Sequence, residues 1–130
     1  MKKILFLCTA LAIFYPVSAF AVVPTQEQQV AVVRALDKMT ARVEEIELPV
    51  GKTVHFGALS IVTKTCRTTL PEETPPESAA FLEVSETKVG AQEGAIFKGW
   101  MFASSPALSA MEHPVYDIWV IGCSANVSMK

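Results

Sequence analysis

The feature that most constrains the fold of this chain is a succession of short β-forming runs separated by turn residues. Ile46 and Leu48 alternate with Glu45 and Glu47, and residues 59–67 divide between two strand faces in the same way. Turn-forming pairs such as Gly57-Ala58 stand between runs of this kind. The chain contains about seven such runs, at the intervals that are typical of all-β domains. The pattern predicts an all-β fold, either a small β-sandwich or a barrel.

Turn and loop residues divide the runs. Residues 70–77 hold prolines and glutamates that a sheet interior does not accommodate, and residues 88–94 form a polar hairpin loop. Residues 115–123 are almost wholly apolar, which favours a central strand buried on both faces. The strands are expected at residues 30–36, 42–48, 53–56, 59–67, 79–86, 95–102 and 115–123.

One short helical turn is expected before the last strand. Ser105 precedes Pro106, an order typical of a helix cap followed by proline at the first helical position. Leu108 and Met111 are three residues apart, so a helix would place them on the same face. Pro114 would end the turn.

The N-terminus has the order of a secretory signal. Lys2 and Lys3 precede an apolar run over residues 4–15, and an Ala-x-Ala sequence ends at Ala21. The run is shorter than the ~20 apolar residues that a membrane-spanning helix needs. The sequence therefore predicts a signal peptide over residues 1–21, a periplasmic mature protein and no transmembrane anchor after cleavage. An uncleaved N-terminal anchor is the alternative.

Cleavage would change both the organisation and the charge of the chain. The mature protein would comprise a flexible lead over residues 22–29, a single β domain over residues 30–123 and a polar tail over residues 124–130. Loss of two lysines would move the formal charge from −2 to about −4. The remaining basic residues are scattered, so nothing indicates a nucleic-acid partner.

The cysteines point to one disulfide. Cys8 falls within the signal, and Leu7 before it is not the small residue that lipid attachment needs. Cys66 and Cys123 remain, and two cysteines in a small exported domain most often pair. A bridge that closes a loop of about 57 residues contributes about 4 kcal/mol in the chain-entropy model. Two free buried thiols are the alternative.

The chemically dense stretch is residues 99–117. Ser104, Ser105, His113 and Asp117 permit a serine hydrolase to be considered, but the Gly-x-Ser-x-Gly sequence of a nucleophile elbow is absent from the chain. A serine before proline is ordinary helix capping. The two histidines belong to no ligand motif, so neither a metal nor a cofactor is expected.

Four aromatic side chains allow two interpretations. Trp100 and Phe102 are two residues apart and share a strand face, whereas Tyr116 and Trp119 point oppositely. Aromatic residues on such strands usually lie in the core. The alternative is an exposed platform for a glycan or a peptide.

A longer pattern resembles a known bacterial family. Its parts are the run from Gly99-Trp100-Met101-Phe102 to Val120, Pro49-Val50-Gly51-Lys52 before a strand, the Pro-Glu loop and Ala79-Ala80-Phe81-Leu82-Glu83. In this order they resemble the exported proteins catalogued as domain of unknown function 2155, over residues 31–123. The resemblance implies export and a single domain, and it implies no catalytic residue, cofactor or activity.

The leading hypothesis is a non-catalytic periplasmic β domain that binds an envelope protein or a cell-wall component. An irregular segment on a rigid β scaffold is a common place for a binding site. The competing hypothesis is a hydrolase of a cell-wall or lipid substrate that uses residues 104–117, and a secreted inhibitor or chaperone-like module stays open. The candidate partner-binding residues are Trp100, Ser104, Ser105, Glu112, His113 and Tyr116.

Overall fold

A computed structural model describes residues 23–87 and 94–129, together with Pro16. Most of the predicted signal peptide and most of the predicted loop at residues 88–94 lie outside these residues. Within the described residues the chain forms eight strands and one 3-10 turn. They are β1 (Gln26–Gln28), β2 (Val30–Asp37), β3 (Arg42–Pro49), β4 (Thr53–Phe56), β5 (Leu59–Thr68), β6 (Ser78–Glu86), β7 (Ala95–Phe102), the 3-10 turn (Pro106–Ser109) and β8 (Tyr116–Ser124).

The strands form two antiparallel sheets. The first has five strands in the order β1-β5-β6-β7, with β4 pairing beside β1 on the same edge of β5. The second has three strands in the order β3-β2-β8. The sheets are not closed on each other, so the predicted all-β class is confirmed and the barrel alternative is wrong.

The core lies between the two sheets because alternate residues of each strand face inward. β5 shows this alternation clearly, with Leu59, Ile61 and Thr63 fully buried and the residues between them partly exposed. Ile118 and Val120 of β8 fill the same core from the opposite sheet. Apolar burial of this kind is the main favourable term in the folding of such a domain.

The predicted disulfide is present and joins the two sheets. Cys66 on β5 and Cys123 on β8 are bonded, with their Cα atoms 5.9 Å apart. Cys66 is fully buried in the core cluster. The bridge therefore ties together the ends of two strands that lie far apart in the sequence.

Three tight turns follow from local sequence. Gly51, in the turn after β3, has φ of 82°, and Gly57, between β4 and β5, has φ of 57°, a region that glycine enters without steric cost. After β2, the carboxylate of Asp37 accepts hydrogen bonds from the backbone N–H groups of Met39 and Thr40. These turns account for the correctly predicted positions of β2 to β5.

Two sequence-based expectations about strands are wrong. Part of the expected flexible lead is β1, in which Gln26 pairs with Thr68 and Gln28 with Cys66. The polar sequence of β1 shows no β pattern, and these residues form a strand only because they pair with the edge of β5. The apolar run at the C-terminus is an edge strand, β8, and not a central one. One face of β8 is covered by the opposite sheet, and β2 takes the central place in its own sheet.

Candidate functional site

The predicted site segment connects the edges of the two sheets. Residues 103–115, here called the crossover, lead from β7 in the first sheet to β8 in the second. The 3-10 turn lies within it and has Pro106 at its start. The N–H of Ser105 donates to the carbonyl of Phe102 at 3.2 Å, and the N–H of Leu108 donates to the carbonyl of Ser105 at 3.1 Å. Ser105 occupies the cap position, but its side chain makes no capping hydrogen bond.

The shared helix face expected for Leu108 and Met111 does not form. The 3-10 turn ends at Ser109, so Met111 lies beyond it, in neither helix nor strand. Met111 is 4% exposed and packs into the core, whereas Leu108 is 72% exposed. The prediction failed because the turn ends two residues before Met111, so Leu108 and Met111 do not belong to one helical segment.

His113 has a structural environment. Its Nδ1 accepts hydrogen bonds from the N–H groups of Val115 at 3.0 Å and Tyr116 at 3.1 Å. An accepting Nδ1 places the ring proton on Nε2, which lies 3.4 Å from the Oε2 of Glu86. Both ring nitrogens are therefore engaged, and His113 has no free lone pair with which to act as a general base.

Tyr116 is held by the hairpin between β4 and β5. Its hydroxyl oxygen accepts a hydrogen bond from the N–H of Ala58 at 3.3 Å, and its ring packs edge-on against Phe56 at 5.7 Å. The ring also lies against His113, with centroids 5.2 Å apart. Gly57 makes this approach possible, because a Cβ at Gly57 would lie 2.4 Å from the Tyr116 hydroxyl oxygen.

Ser104 lies in a different contact, with the loop before β6. Its hydroxyl donates to Oε2 of Glu77, and its N–H donates to Oε1 of the same carboxylate at 3.1 Å. The N–H of Ser78 also donates to Oε1, at 2.9 Å. No contact in the described residues joins Ser104, Ser105 or Ser109 to His113, so the arrangement that a serine hydrolase requires is not assembled.

Two adjoining depressions run along the crossover, and they share Met111 and Asp117. One has a volume of about 460 Å³ and the other about 340 Å³. Lys38 borders the larger one, where its ammonium donates to the carbonyl of His113 at 3.0 Å and lies 2.9 Å from a carboxylate oxygen of Asp117. Glu112 also borders it and is exposed.

Trp100 belongs to the outer face of the first sheet and not to the core. It is 37% exposed, and its ring packs edge-on against Phe81 of β6 at 5.7 Å. Phe102 shares this face, as the two-residue spacing predicted, and both side chains border a cavity of about 200 Å³ with Arg67 and Pro24. Neighbouring side chains therefore cover only part of the Trp100 indole, and its role as a platform for a partner stays a prediction.

A row of charges crosses the same outer face beside Trp100. Glu83 on β6 lies between Lys98 on β7, at 3.2 Å, and Lys64 on β5, at 3.4 Å. The hydrogen bond from Lys98 is the largest cause that lowers the pKa of the Glu83 carboxyl from 4.5, and Lys64 lowers it further. Two cations flank one anion, so the row ends at β7 with an excess positive charge.

The six candidate residues therefore do not form one site. The structure brings His113 and Tyr116 together in a partly buried contact, separates Ser104 from them, and places Trp100 on the outer face of β7. Lys98 and Glu83 had no signal in the sequence, because their proximity depends on the pairing of β6 with β7. Within the described residues, no group of three His, Cys, Asp or Glu side chains could hold a metal ion.

These features define a small two-sheet antiparallel β domain, cross-linked by a disulfide, with an exposed tryptophan at one sheet edge. Residues 31–123 match the family described as an uncharacterized protein conserved in bacteria, DUF2155, and the chain belongs to that family. This confirms the resemblance seen in the sequence.

The chain is similar to the uncharacterized protein RP359 of Rickettsia prowazekii (strain Madrid E). The two are 35% identical over 89 residues, which cover 68% of this chain and 57% of that protein. The chain thus matches little more than half the length of this relative. No solved structure matches the chain. In residues 23–87 and 94–129, no helix is long and apolar enough to cross a membrane.

Proposed function

We propose that this protein is an exported, non-catalytic binding module of the bacterial cell envelope. Its partner is an envelope protein or a cell-wall component, bound on a surface formed by β7 and the crossover. The observation that carries the proposal is the exposure of large apolar side chains along one continuous stretch of chain: Ile96 is 38%, Trp100 37% and Leu108 72% exposed. Because these exposed apolar side chains fall within one stretch of the chain, we assign the interaction surface to this stretch.

Export is supported by two independent features. The first 21 residues have the charge, apolar run and Ala-x-Ala order of a signal peptide. Cys66 and Cys123 are positioned as a disulfide, which persists in an oxidising compartment such as the periplasm. Both features support the proposed periplasmic location, where envelope partners are found.

Absence of catalysis is supported by the contacts of the residues that could perform it. The carboxylate of Glu77 accepts hydrogen bonds from the backbone N–H groups of Ser78 and Ser104, and so it joins the loop before β6 to the crossover. His113 has both nitrogens engaged within the fold. Both side chains stabilise loops of the fold. We therefore assign the binding function to the exposed apolar residues.

In vivo photocrosslinking tests the proposal. A photoreactive phenylalanine derivative is placed at position 96 or 108 in the full chain, and at position 43 on β3 as a control, since Val43 is 54% exposed on the other sheet. We expect a discrete adduct from positions 96 and 108 in the periplasmic fraction and none from position 43. Retention of unprocessed protein in the cytoplasm, or equal labelling at all three positions, would overturn the proposal.

A further inference from the structure

The long sheet edges of this domain are not equivalent. β3 is an edge strand that carries Arg42, Glu44, Glu45 and Glu47, and charged side chains are a common protection of edges against strand pairing. β1 and β4, beside β5, are only three and four residues long. The edges of β7 and β8 are longer and less charged, so they decide where a further strand could pair.

The edge of β8 is closed. The backbone N–H of Lys38 donates to the carbonyl of Val115, so these two residues form a hydrogen-bonded pair. Hydrogen-bonded and non-hydrogen-bonded pairs alternate along an antiparallel ladder. The N–H and C=O groups of Ile118 and Val120 therefore point away from β2. These two residues are only 4% and 1% exposed. An incoming strand would have to displace the chain that covers them.

The edge of β7 is open. The backbone N–H of Ala103 donates to the carbonyl of Ser78, so these two residues form a hydrogen-bonded pair. Because the two kinds of pair alternate along the ladder, the N–H and C=O groups of Lys98 and Trp100 point away from β6. Both residues are exposed, and no described strand pairs with β7 on that side. Four backbone hydrogen-bonding groups therefore point away from β6, at the spacing of an extended chain.

The side chains on the outer face beside this edge determine which residue types an added strand would need. Glu83 is directly opposite Lys98 on β7, and it also forms an ion pair with Lys64, which lies at a β-bulge in β5. The alternating charges of these three side chains would continue beyond Lys98 with an acidic residue. The neighbouring row holds Phe81 and Trp100, and it would continue with an aromatic or β-branched residue. Between the rows is Gly99, which offers no side chain to the incoming strand.

We propose that the open edge of β7 binds an extended segment of a partner polypeptide by antiparallel strand addition. The segment has an aromatic or β-branched residue opposite Trp100 and an acidic residue opposite Lys98, which reads hydrophobic-x-acidic from N- to C-terminus. This inference rests on the proposed binding function and gives its partner a chemistry. A second copy of the chain fits poorly, because β7 contains Lys98 and no acid to place against it.

Selection from a phage library of random octapeptides on the purified mature protein tests the recognition pattern. The expected result is enrichment of hydrophobic-x-acidic peptides for the wild type and of hydrophobic-x-basic peptides for Lys98→Glu. Lys64→Glu is the matched control, because it makes the same charge change beside Glu83 but on an interior strand. It should keep the wild-type preference. No enrichment, or the same preference for all three proteins, would overturn the proposal.

Amide hydrogen exchange of the protein, measured alone and in complex with an enriched peptide, tests the binding mode. In the free protein, the amides of Lys98 and Trp100 should exchange fast and those of Gly99 and Met101 slowly. Binding should slow the first pair at least tenfold. Lys98→Pro removes an outward N–H that β6 does not use, so it should abolish binding, whereas Lys98→Ala should weaken it only about fivefold. Unchanged exchange at Lys98 and Trp100 in the complex would overturn strand addition.

The two proposals fail in different ways. Crosslinks in vivo from positions 96 and 108, together with unprotected amides at Lys98 and Trp100, would leave the binding module standing and eliminate the strand-addition mode. Octapeptide binding at β7 in vitro without any crosslink in vivo would eliminate the envelope-binding function and keep β7 as a competent strand acceptor.

Discussion

The Oε2 atom of Glu86 lies 3.4 Å from Nε2 of His113, where the two side chains are only 16% and 7% exposed. This contact joins the end of β6 to the last residues of the crossover. The other ring nitrogen of His113 receives two backbone N–H groups at the start of β8. His113, the base that a serine hydrolase would need here, therefore connects a strand end to a loop.

Removal of the imidazole should destabilise the fold. His113→Ala leaves the N–H groups of Val115 and Tyr116 without their acceptor in a partly buried place, and we expect a loss of about 2–4 kcal/mol in the free energy of unfolding. His113→Asn keeps a short acceptor that can reach the N–H two residues on, so it should lose less. Urea denaturation measures both. Equal losses for Ala and Asn would contradict the role of Nδ1 as an acceptor.

The disulfide should supply a large share of the stability. Cys66 and Cys123 close a loop of 57 residues, and the double substitution by alanine should cost about 4 kcal/mol through the entropy of the unfolded chain. Denaturant unfolding of the parent and the double variant measures the difference. As a control, thiol labelling of the denatured, unreduced parent should detect no free cysteine. Two reactive thiols would show that the bridge does not form.

The contact between Gly57 and Tyr116 should make Gly57 intolerant of a side chain. An alanine at position 57 would have an unfavourable positive φ, and its Cβ would lie 2.4 Å from the tyrosine hydroxyl oxygen. Gly51→Ala is the matched control, because Gly51 also has positive φ but open space around it. We expect a loss of about 1 kcal/mol for Gly51→Ala and about 2–4 kcal/mol for Gly57→Ala. Similar thermal shifts for the two variants would contradict the close contact.

The charge row on the outer face should be visible in the titration of Glu83. Its pKa is lowered from 4.5, chiefly by the hydrogen bond from Lys98, so the ionised form is favoured in the folded state. The associated stability is present at neutral pH and is lost as the pH falls through the folded-state pKa. Carboxyl carbon NMR should show this pKa rising in Lys98→Ala more than in Lys64→Ala. A Glu83 pKa that is insensitive to Lys98 would contradict the arrangement.

Much of the fold follows from local patterns. The alternation in residues 59–67 depends only on the period of a strand, and the turns at Gly51 and Gly57 depend only on backbone conformation. β1 could not be found in this way, because Gln26-Glu27-Gln28 has no β pattern and is ordered by pairing with β5.

The candidate site was predicted less well. The sequence singled out the chemically dense stretch around Ser104 and His113, but adjacency in the sequence did not bring those side chains together. Lys98 was missed because a single lysine on a strand carries no local signal. Its significance depends on Glu83 across the β6–β7 ladder and on the open edge beyond it.

By itself, the sequence determined the all-β class, the approximate limits of most strands, the two cysteines that pair and the family resemblance. Only the tertiary structure decided that the apolar β8 is a covered edge, that Trp100 faces outward and that β7 has an open edge. The physical reason is that strand formation depends on residues two apart, whereas the order of strands depends on hydrogen bonds and burial between segments distant in the chain.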